Sequence, residues 1–155
     1  MINSNFGQYY EDFIISDNII HSLSKTIFES DNNFFSLLTM NHHPIHINLN
    51  YAENEKYGKL LVVGTLTFSI IVGITVPEIS GKAIANLEYS NIKHLNPVFI
   101  GDTLYAKSTI LQKSTKSMTS RAGIIHVETI GFNQNNVNVI KFERKVLVKK
   151  LNLEK

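Results

Sequence analysis

The longest apolar segment of the chain runs from Leu60 to Val76, between Lys59 and Pro77. A helix that crosses a bilayer needs about 20 consecutive apolar residues, and this segment is shorter and includes three threonines and a serine. A helix that is apolar on every side must be covered on every side, which the core of a globular domain also achieves. The pattern therefore predicts a buried helix, beginning near Leu61, at the centre of a folded domain.

Downstream of this segment, apolar and polar residues alternate, which predicts the strands of an antiparallel sheet. The predicted strands are Ile84–His94, Thr103–Lys113, Arg121–Asn133 and Val137–Lys150. One face of the last strand is apolar and carries Ile140, Phe142, Val146 and Val148. We expect His94 and His126, which fall within these strands, to be structural or surface residues.

Shorter elements are predicted upstream of the central helix. They are a strand at Ile19–Phe28, a helix at Asn32–Met40, a connection at His46–Asn50 and one or two helical turns at Tyr51–Tyr57. The helix has an apolar face formed by Phe34, Phe35, Leu37 and Leu38. We expect Met1–Ser16 to form an extended segment that packs on the domain. Helices and antiparallel strands in separate parts of the chain indicate an α+β fold, in a single domain spanning residues 1–155.

Length and composition are typical of one globular domain. The chain has 155 residues, of which 43% are apolar and 18% charged, enough for a sizeable core. Fifteen basic and thirteen acidic side chains leave a formal charge of +2, which gives no electrostatic basis for binding nucleic acid. The absence of cysteine excludes disulfides and thiolate metal sites. Because no secretory pattern is visible, we expect a cytoplasmic protein that does not insert into a membrane.

Three histidines, His42, His43 and His46, lie beside Asn41 between two predicted helices. Histidine changes protonation near neutral pH and suits acid–base catalysis, and it also binds metals. A third interpretation is that these are polar residues at a helix end, where histidine interacts favourably with the helix dipole. Pro44 prevents the helical spacing of zinc motifs, and no carboxylate is nearby in sequence. We therefore expect no metal and no other cofactor.

Four segments resemble one known family in the same order along the chain. Thr39–Asn48, followed by Tyr51 and Ala52, resembles the hydratase motif of the MaoC-like family, whose pattern is roughly T-G-D-x-N-P-I-H-x-D. The other resemblances are the Gly58–Thr65 entry to the central helix, the Asn96–Leu104 turn and the Gly131–Gln134 hairpin. Within the family, the chain most resembles the branch of itaconyl-CoA, mesaconyl-CoA and β-methylmalyl-CoA hydratases.

The resemblance implies a hotdog fold, in which a curved antiparallel sheet wraps around the Leu60–Val76 helix. It also implies a homodimer or a larger homo-oligomer, since hotdog sites usually form between subunits. The implied reaction is reversible addition of water to a trans-2-enoyl-CoA, with a short branched or dicarboxylic acyl group as one candidate. His46 would be the catalytic histidine, and the backbone N–H groups of Gly64 and Thr65 would bind the thioester oxygen.

The chain departs from the family pattern at three positions. Asn41 and Asn48 stand where the pattern has aspartates, and His43 stands where it has asparagine. An amide cannot act as a general base, so the usual division of proton transfers between Asp and His cannot operate unchanged. Either His46 acts alone with Asn41 orienting the water, or His42 or His43 supplies a second proton-transfer group, or the site binds a CoA thioester without hydrating it. A hotdog thioesterase and a non-catalytic acyl-CoA-binding protein are the alternative functions.

Overall fold

The computed structural model describes residues 6–115 and 121–151. The helices of this part of the chain are α1 (Glu29–Leu38), α2 (Pro44–Ile47), α3 (Leu49–Glu53) and α4 (Gly64–Ile74). Its strands are β1 (Asn18–Ile20), β2 (Lys25–Thr26), β3 (Ala83–His94), β4 (Thr103–Ser114), β5 (Ala122–Asn133) and β6 (Asn138–Lys149). A 3₁₀ turn spans Tyr10–Asp12, and one π-helical turn spans Val76–Ser80.

The strands form one antiparallel sheet in the order β1-β4-β5-β6-β3, with β2 also paired to β4. Every second residue is buried on one face of β5 and β6, and of β4 from Leu104 to Ile110. Part of this face packs against α4, and the rest packs against Phe13 and Ile79. β3 is an edge strand, and within the described residues it pairs with β6 alone. The α+β architecture is confirmed, and the four long predicted strands match β3 to β6 to within one residue at each end.

The central helix is shorter than the apolar segment that predicts it. It has 11 residues and begins at Gly64, whereas the prediction began it near Leu61. Leu61 pairs with Phe99, and the Val62 N–H donates to the Val98 carbonyl at 2.9 Å. These backbone partners hold the residues before α4 in an extended conformation, so their apolar character reflects burial and not helix.

The sheet covers one side of α4. Ile71 and Ile74 are buried in the core, whereas Thr65, Ser69 and Gly73 form an exposed stripe with one residue per turn. The expectation of a helix covered on every side therefore does not hold for the single chain. Within residues 6–115 and 121–151, no helix combines the length and the apolar character that crossing a bilayer requires.

Helix α1 buries a polar side instead of its predicted apolar face. Phe35 packs against the core, but most of each side chain is exposed at three other positions, Phe34, Leu37 and Leu38. The buried residues of this helix are Asn32 and Ser36. The reason is that Asn32 hydrogen-bonds three backbone groups of the segments that follow.

Two other upstream predictions are corrected. The strand predicted at Ile19–Phe28 is divided into β1 and β2, and the connection predicted at His46–Asn50 contains the end of α2 and the start of α3. Pro44 is the first residue of α2, a position where its fixed φ favours a helix. Pro44 therefore starts a new helix six residues after the end of α1.

The described part of the N-terminal segment packs on the sheet. Phe13 is 2% exposed and joins a buried cluster with Ile79 and Ile125. The Tyr10 ring lies against Gly123, where an added methyl group would come within 2.4 Å of the ring. Residues 1–5 of the predicted Met1–Ser16 segment lie outside the described residues.

A buried polar cluster lies near the C-terminal end of α4. His21 is 5% exposed, and burial lowers its pKa more than the hydrogen bond to Glu78 raises it. The neutral ring donates from Nδ1 to the Glu78 carboxylate at 2.9 Å and accepts at Nε2 from the Ser108 hydroxyl at 2.8 Å. The Thr129 hydroxyl then donates to Ser108 Oγ at 2.8 Å. Both ring nitrogens of His21 are thus engaged in the interior.

Arg144 lies in the same interior, on the otherwise apolar face of β6. It is 0% exposed, and its Nη2 donates to the hydroxyl of Thr75, directly after α4, at 2.6 Å. Among the described residues, no partner hydrogen-bonds its Nε or Nη1. Burial lowers the pKa of Arg144, and Tyr89 opposes that shift. The guanidinium in turn contributes to the lowered pKa of His21.

Candidate active site

Asn32 hydrogen-bonds both the histidine segment, residues Asn41–His46, and the residues just before α4. It is 1% exposed, and its Nδ2 donates to the carbonyl of His46 at 2.9 Å and to that of Leu61 at 3.4 Å. Its Oδ1 accepts from the Val63 N–H at 2.9 Å. Because Val63 immediately precedes α4, one buried amide sets the position of α2 relative to the helix N-terminus.

His46 lies on α2, and its ring is oriented by a backbone group. His46 Nδ1 is 2.9 Å from the carbonyl oxygen of Leu61. A carbonyl can only accept a hydrogen bond, so Nδ1 carries the proton, and in the neutral ring Nε2 is an unprotonated acceptor. An oriented imidazole with one unprotonated nitrogen is the group that general base catalysis requires.

A cavity of about 390 Å³ lies where α2, α4 and the end of β3 meet. It is lined by His46, Tyr57, Leu61, Val62, Gly64, Thr67 and the segment His94–Val98. A concave wall that combines apolar and polar side chains is suited to bind a small molecule. The predicted residues His46 and Gly64 are therefore brought together.

Gly64 and Thr65 are the first two residues of α4. Amide groups in the first turn of a helix have no acceptor within the helix, and they carry a partial positive charge. Gly64 lines the cavity and Thr65 is exposed next to it. This end of α4 is therefore suited to bind a developing negative charge on oxygen.

Asn41 and His43 lie outside the described lining of the cavity. His43 Nδ1 accepts from the Ile45 N–H at 3.2 Å and caps α2, and its ring centroid is 6.2 Å from that of His46. The Asn41 N–H donates to the Ser36 carbonyl at 2.9 Å, just beyond the end of α1. His43 is therefore a close neighbour of His46, whereas the contact of Asn41 is with the end of α1.

His94 is a cavity residue to which the sequence pattern assigned a structural or surface position. It is the last residue of β3, it lines the cavity, and it is exposed. A Cβ atom at position 64 would lie 3.0 Å from His94 Cε1 and 3.1 Å from Nε2, so the imidazole faces the first residue of α4. His94 ends the strand that leads directly into the Asn96–Leu104 turn, and this position in the sequence could have identified it as a site residue.

The chain is similar to one domain family and to proteins that are named as hydratases. The MaoC like domain family matches residues 13–131. A mesaconyl-CoA hydratase of Cereibacter sphaeroides is 31% identical over 149 residues, which cover 96% of this chain and 43% of that protein. An (R)-specific enoyl-CoA hydratase of Rhodospirillum rubrum is 33% identical over 102 residues, which cover 66% of this chain and 69% of that protein. The chain thus spans less than half the length of the first of these relatives.

Solved structures share the fold. A MaoC domain protein from Chloroflexus aurantiacus has a TM-score of 0.90 at 29% identity, covering 98% of this chain and 43% of that chain. A conserved protein from Mycobacterium tuberculosis, described as having a double hotdog fold, has a TM-score of 0.82 at 17% identity. The match covers 99% of this chain and 47% of that chain. The hotdog fold that the sequence resemblance implies is confirmed.

Proposed function

The chain belongs to the MaoC-like domain family, and from that membership we propose that it catalyses reversible addition of water to a trans-2-enoyl-CoA. Two of its relatives are named as hydratases of mesaconyl-CoA and of enoyl-CoA. The observation that carries the proposal is the placement of His46, whose Nδ1 binds the Leu61 carbonyl, in a cavity that is also lined by the first residue of α4. A base that takes a proton from water and a helix end that binds the oxyanion are two of the parts that this reaction needs.

In the proposed hydration, His46 Nε2 takes a proton from water while the water oxygen forms a bond with the substrate Cβ. The electron pair of the double bond moves towards the thioester, and negative charge develops on the thioester oxygen. The N–H groups of Gly64 and Thr65 stabilise that charge, and the helix dipole assists them. Loss of one such donor typically costs an enzyme about 3 kcal/mol of transition-state stabilisation.

Asn41 and His43 have supporting roles in this proposal. The Asn41 amide would orient the attacking water without exchanging a proton. His43 is the candidate from the histidine segment for a second proton-transfer group, because its ring centroid lies 6.2 Å from that of His46. Since its Nδ1 accepts from the Ile45 N–H, its Nε2 carries a proton that it can donate.

A short acyl group, including a branched or dicarboxylic one, is the substrate that we propose. The cavity volume of about 390 Å³ fits a small acyl group, and one relative carries the name mesaconyl-CoA hydratase. The proposal places the reaction in the cytoplasm, a reducing compartment compatible with a chain that has no cysteine.

The proposal includes a homodimer formed through β3. This edge strand has 12 residues and exposes Ile84, Leu87 and Ile92, which are 55%, 50% and 44% accessible. Native proteins rarely leave a long apolar edge strand uncovered, and a two-fold dimer would pair it with its own copy. Because the cavity-lining segment starts at the last residue of β3, the partner would lie next to the cavity.

Light scattering tests the dimer and should give twice the mass of the chain. A monomer at micromolar concentration would contradict the proposed homodimer.

The test of the function is a panel of enoyl thioesters. Crotonyl-CoA, mesaconyl-CoA and itaconyl-CoA are mixed with the purified protein, and the loss of enoyl thioester absorbance is followed. We expect hydration of at least one of them, and its loss in His46→Ala. The matched control is His126→Ala, which removes a histidine that pairs with Glu143 on the sheet at 2.8 Å.

Other outcomes of the panel would contradict the hydratase proposal. Release of free CoA, measured with a thiol reagent, without loss of the double bond would instead indicate a thioesterase. Binding of the thioesters without any turnover, unchanged in His46→Ala, would indicate a non-catalytic acyl-CoA-binding protein.

A further inference from the structure

The proposed hydration needs two proton transfers, and the histidine segment offers one well-placed nitrogen for them. His46 Nδ1 is committed to the Leu61 carbonyl, which leaves Nε2 alone. Asn41 cannot transfer a proton, and His43 uses one nitrogen to cap α2 from outside the described lining of the cavity. A titratable residue that lines the cavity itself is therefore better placed than His43 to make the second transfer.

The described cavity wall holds three titratable side chains: His46, Tyr57 and His94. The Tyr57 ring packs edge-on against Phe99 at 5.7 Å and lies under the Lys56 ammonium at 5.1 Å. His94 comes from a different element than His46, the end of β3, and its ring faces the N-terminus of α4. Of the two other side chains, His94 is of the residue type that most often acts as a general acid or base in enzymes.

Gly64 is what allows His94 to approach the helix end. The position of its missing Cβ is 3.0 Å from the imidazole, closer than an ordinary van der Waals contact. The same residue carries one of the N–H groups proposed to bind the thioester oxygen. The substrate Cα is two bonds from that oxygen, so an oxygen bound at Gly64 brings Cα close to the His94 ring.

We infer that His94 is the second proton-transfer residue, an inference that rests on the proposed hydration. The His94 imidazolium gives its proton to Cα and forms the Cα–H bond, while His46 holds the proton taken from water. Solvent then returns a proton to His94 and removes one from His46, so the net change is the addition of one water. In dehydration, neutral His94 removes the Cα proton, and the His46 imidazolium protonates the leaving hydroxyl.

The test compares His94→Gln with His126→Gln in steady-state hydration of the thioester that the wild type turns over fastest. We expect kcat of His94→Gln to fall about 100-fold or more, the scale of general acid catalysis, with KM within about threefold. The alkaline limb of the kcat–pH profile should disappear, because it reports loss of the acid. His126→Gln should keep the wild-type kcat and pH profile. His94 is exposed, so the unfolding temperature of His94→Gln should match that of the wild type.

Two results would overturn the inference and leave the hydratase proposal intact. One is a His94→Gln variant with kcat within threefold of the wild type. The other is a reduced kcat whose profile keeps its alkaline limb, which would assign His94 a structural role. Absence of hydration by the wild type would refute the proposed function itself and this inference with it, and it would be seen before any substitution is made.

Discussion

The two ends of α4 hold two histidines in opposite situations. Near the N-terminal end, His46 lines a cavity and binds the Leu61 carbonyl with one ring nitrogen, Nδ1. Near the C-terminal end, His21 has both ring nitrogens bonded, to Glu78 and to Ser108, and is 5% exposed. The same residue type is available for chemistry at one end and committed to the fold at the other.

The buried cluster near the C-terminal end of α4 shows why residue types alone do not identify a site. Glu78, His21 and Ser108 follow one another at 2.9 and 2.8 Å, the hydrogen-bond order of a Ser-His-acid triad. Ser108, however, is 2% exposed, and its next partner Thr129 is 0% exposed, so a substrate has no access to the hydroxyl. Buried polar groups need such partners to offset their desolvation. The N-terminal end of α4 is the candidate site because its first-turn N–H groups have no acceptor within the helix and lie beside a cavity.

The largest expected effect is that of His46→Ala on catalysis. We expect kcat/KM to fall by about 10²–10⁴-fold, the range of general acid–base catalysis. The free energy of unfolding should change by no more than about 1 kcal/mol, because the side chain makes one hydrogen bond and is only half buried. Enoyl-CoA absorbance and urea unfolding of the same preparation check both parts. Loss of stability in parallel with activity would mean that His46 has a structural role, as His21 does.

The next effect is that of His21→Ala on stability. This change removes one buried hydrogen bond from each of Glu78 and Ser108, so we expect the free energy of unfolding to fall by about 2–4 kcal/mol. The kcat of the folded protein should stay within about twofold of the wild type. His126→Ala, which breaks a partly exposed pair with Glu143, should cost less than about 1 kcal/mol. Equal urea midpoints for the two variants would remove the distinction between the ends of α4.

A smaller effect separates Gly64 and Gly73, the glycines at the two ends of α4. In the single chain an alanine at 73 meets nothing within 4 Å, so Gly73→Ala should stabilise the helix by up to about 1 kcal/mol and keep kcat. An alanine at 64 would displace the His94 ring, and we expect kcat to fall about tenfold because misplacement of a reacting group is costly. Thermal unfolding and kcat of both variants check this. A Gly64→Ala variant with wild-type kcat would show that the position of His94 is not critical.

The smallest expected effect is a dependence of stability on pH. Burial lowers the pKa of His21 below its ordinary 6.5. Burial would raise the pKa of Glu78, but hydrogen bonds from His21 and Ser22 outweigh it, and the pKa lies below the ordinary 4.5. The unfolded chain therefore binds more protons in acid, so this contribution is complete above pH 6.5 and is lost as the pH falls. Urea unfolding between pH 5 and 8 should show this slope, and His21→Gln should flatten it between pH 5 and 6.5. An unchanged slope would contradict the assignment.

The sheet was largely predictable from the sequence, and the start of the central helix was not. Alternation survives in β4 to β6 because one face of each strand is buried against the core. Leu61 and Val62 are apolar in either conformation, and only their backbone partners Phe99 and Val98 make them extended. Those partners lie more than thirty residues away in the chain, beyond the reach of a local pattern.

The site was predictable where its parts are local. A motif resemblance located His46 and Gly64, and the structure places both in one cavity. Asn32 acts on backbone groups up to 31 residues away, and His94 reaches the cavity through the sheet edge. Arg144 stands at a position that alternation assigns to the core, where a charged residue conflicts with the pattern. The contacts of Asn32 and Arg144 arise from tertiary packing between distant parts of the chain, which a local pattern does not identify.

The most direct test of the difference between the two ends is NMR of the protein titrated with butyryl-CoA, a saturated thioester that cannot be hydrated. We expect saturable shifts of the Gly64 and Thr65 amide signals and of the His46 and His94 imidazole signals. The His21 imidazole signals should stay where they are. Shifts at His21, or binding without any change at the first turn of α4, would contradict the assignment of the site to the N-terminal end of α4.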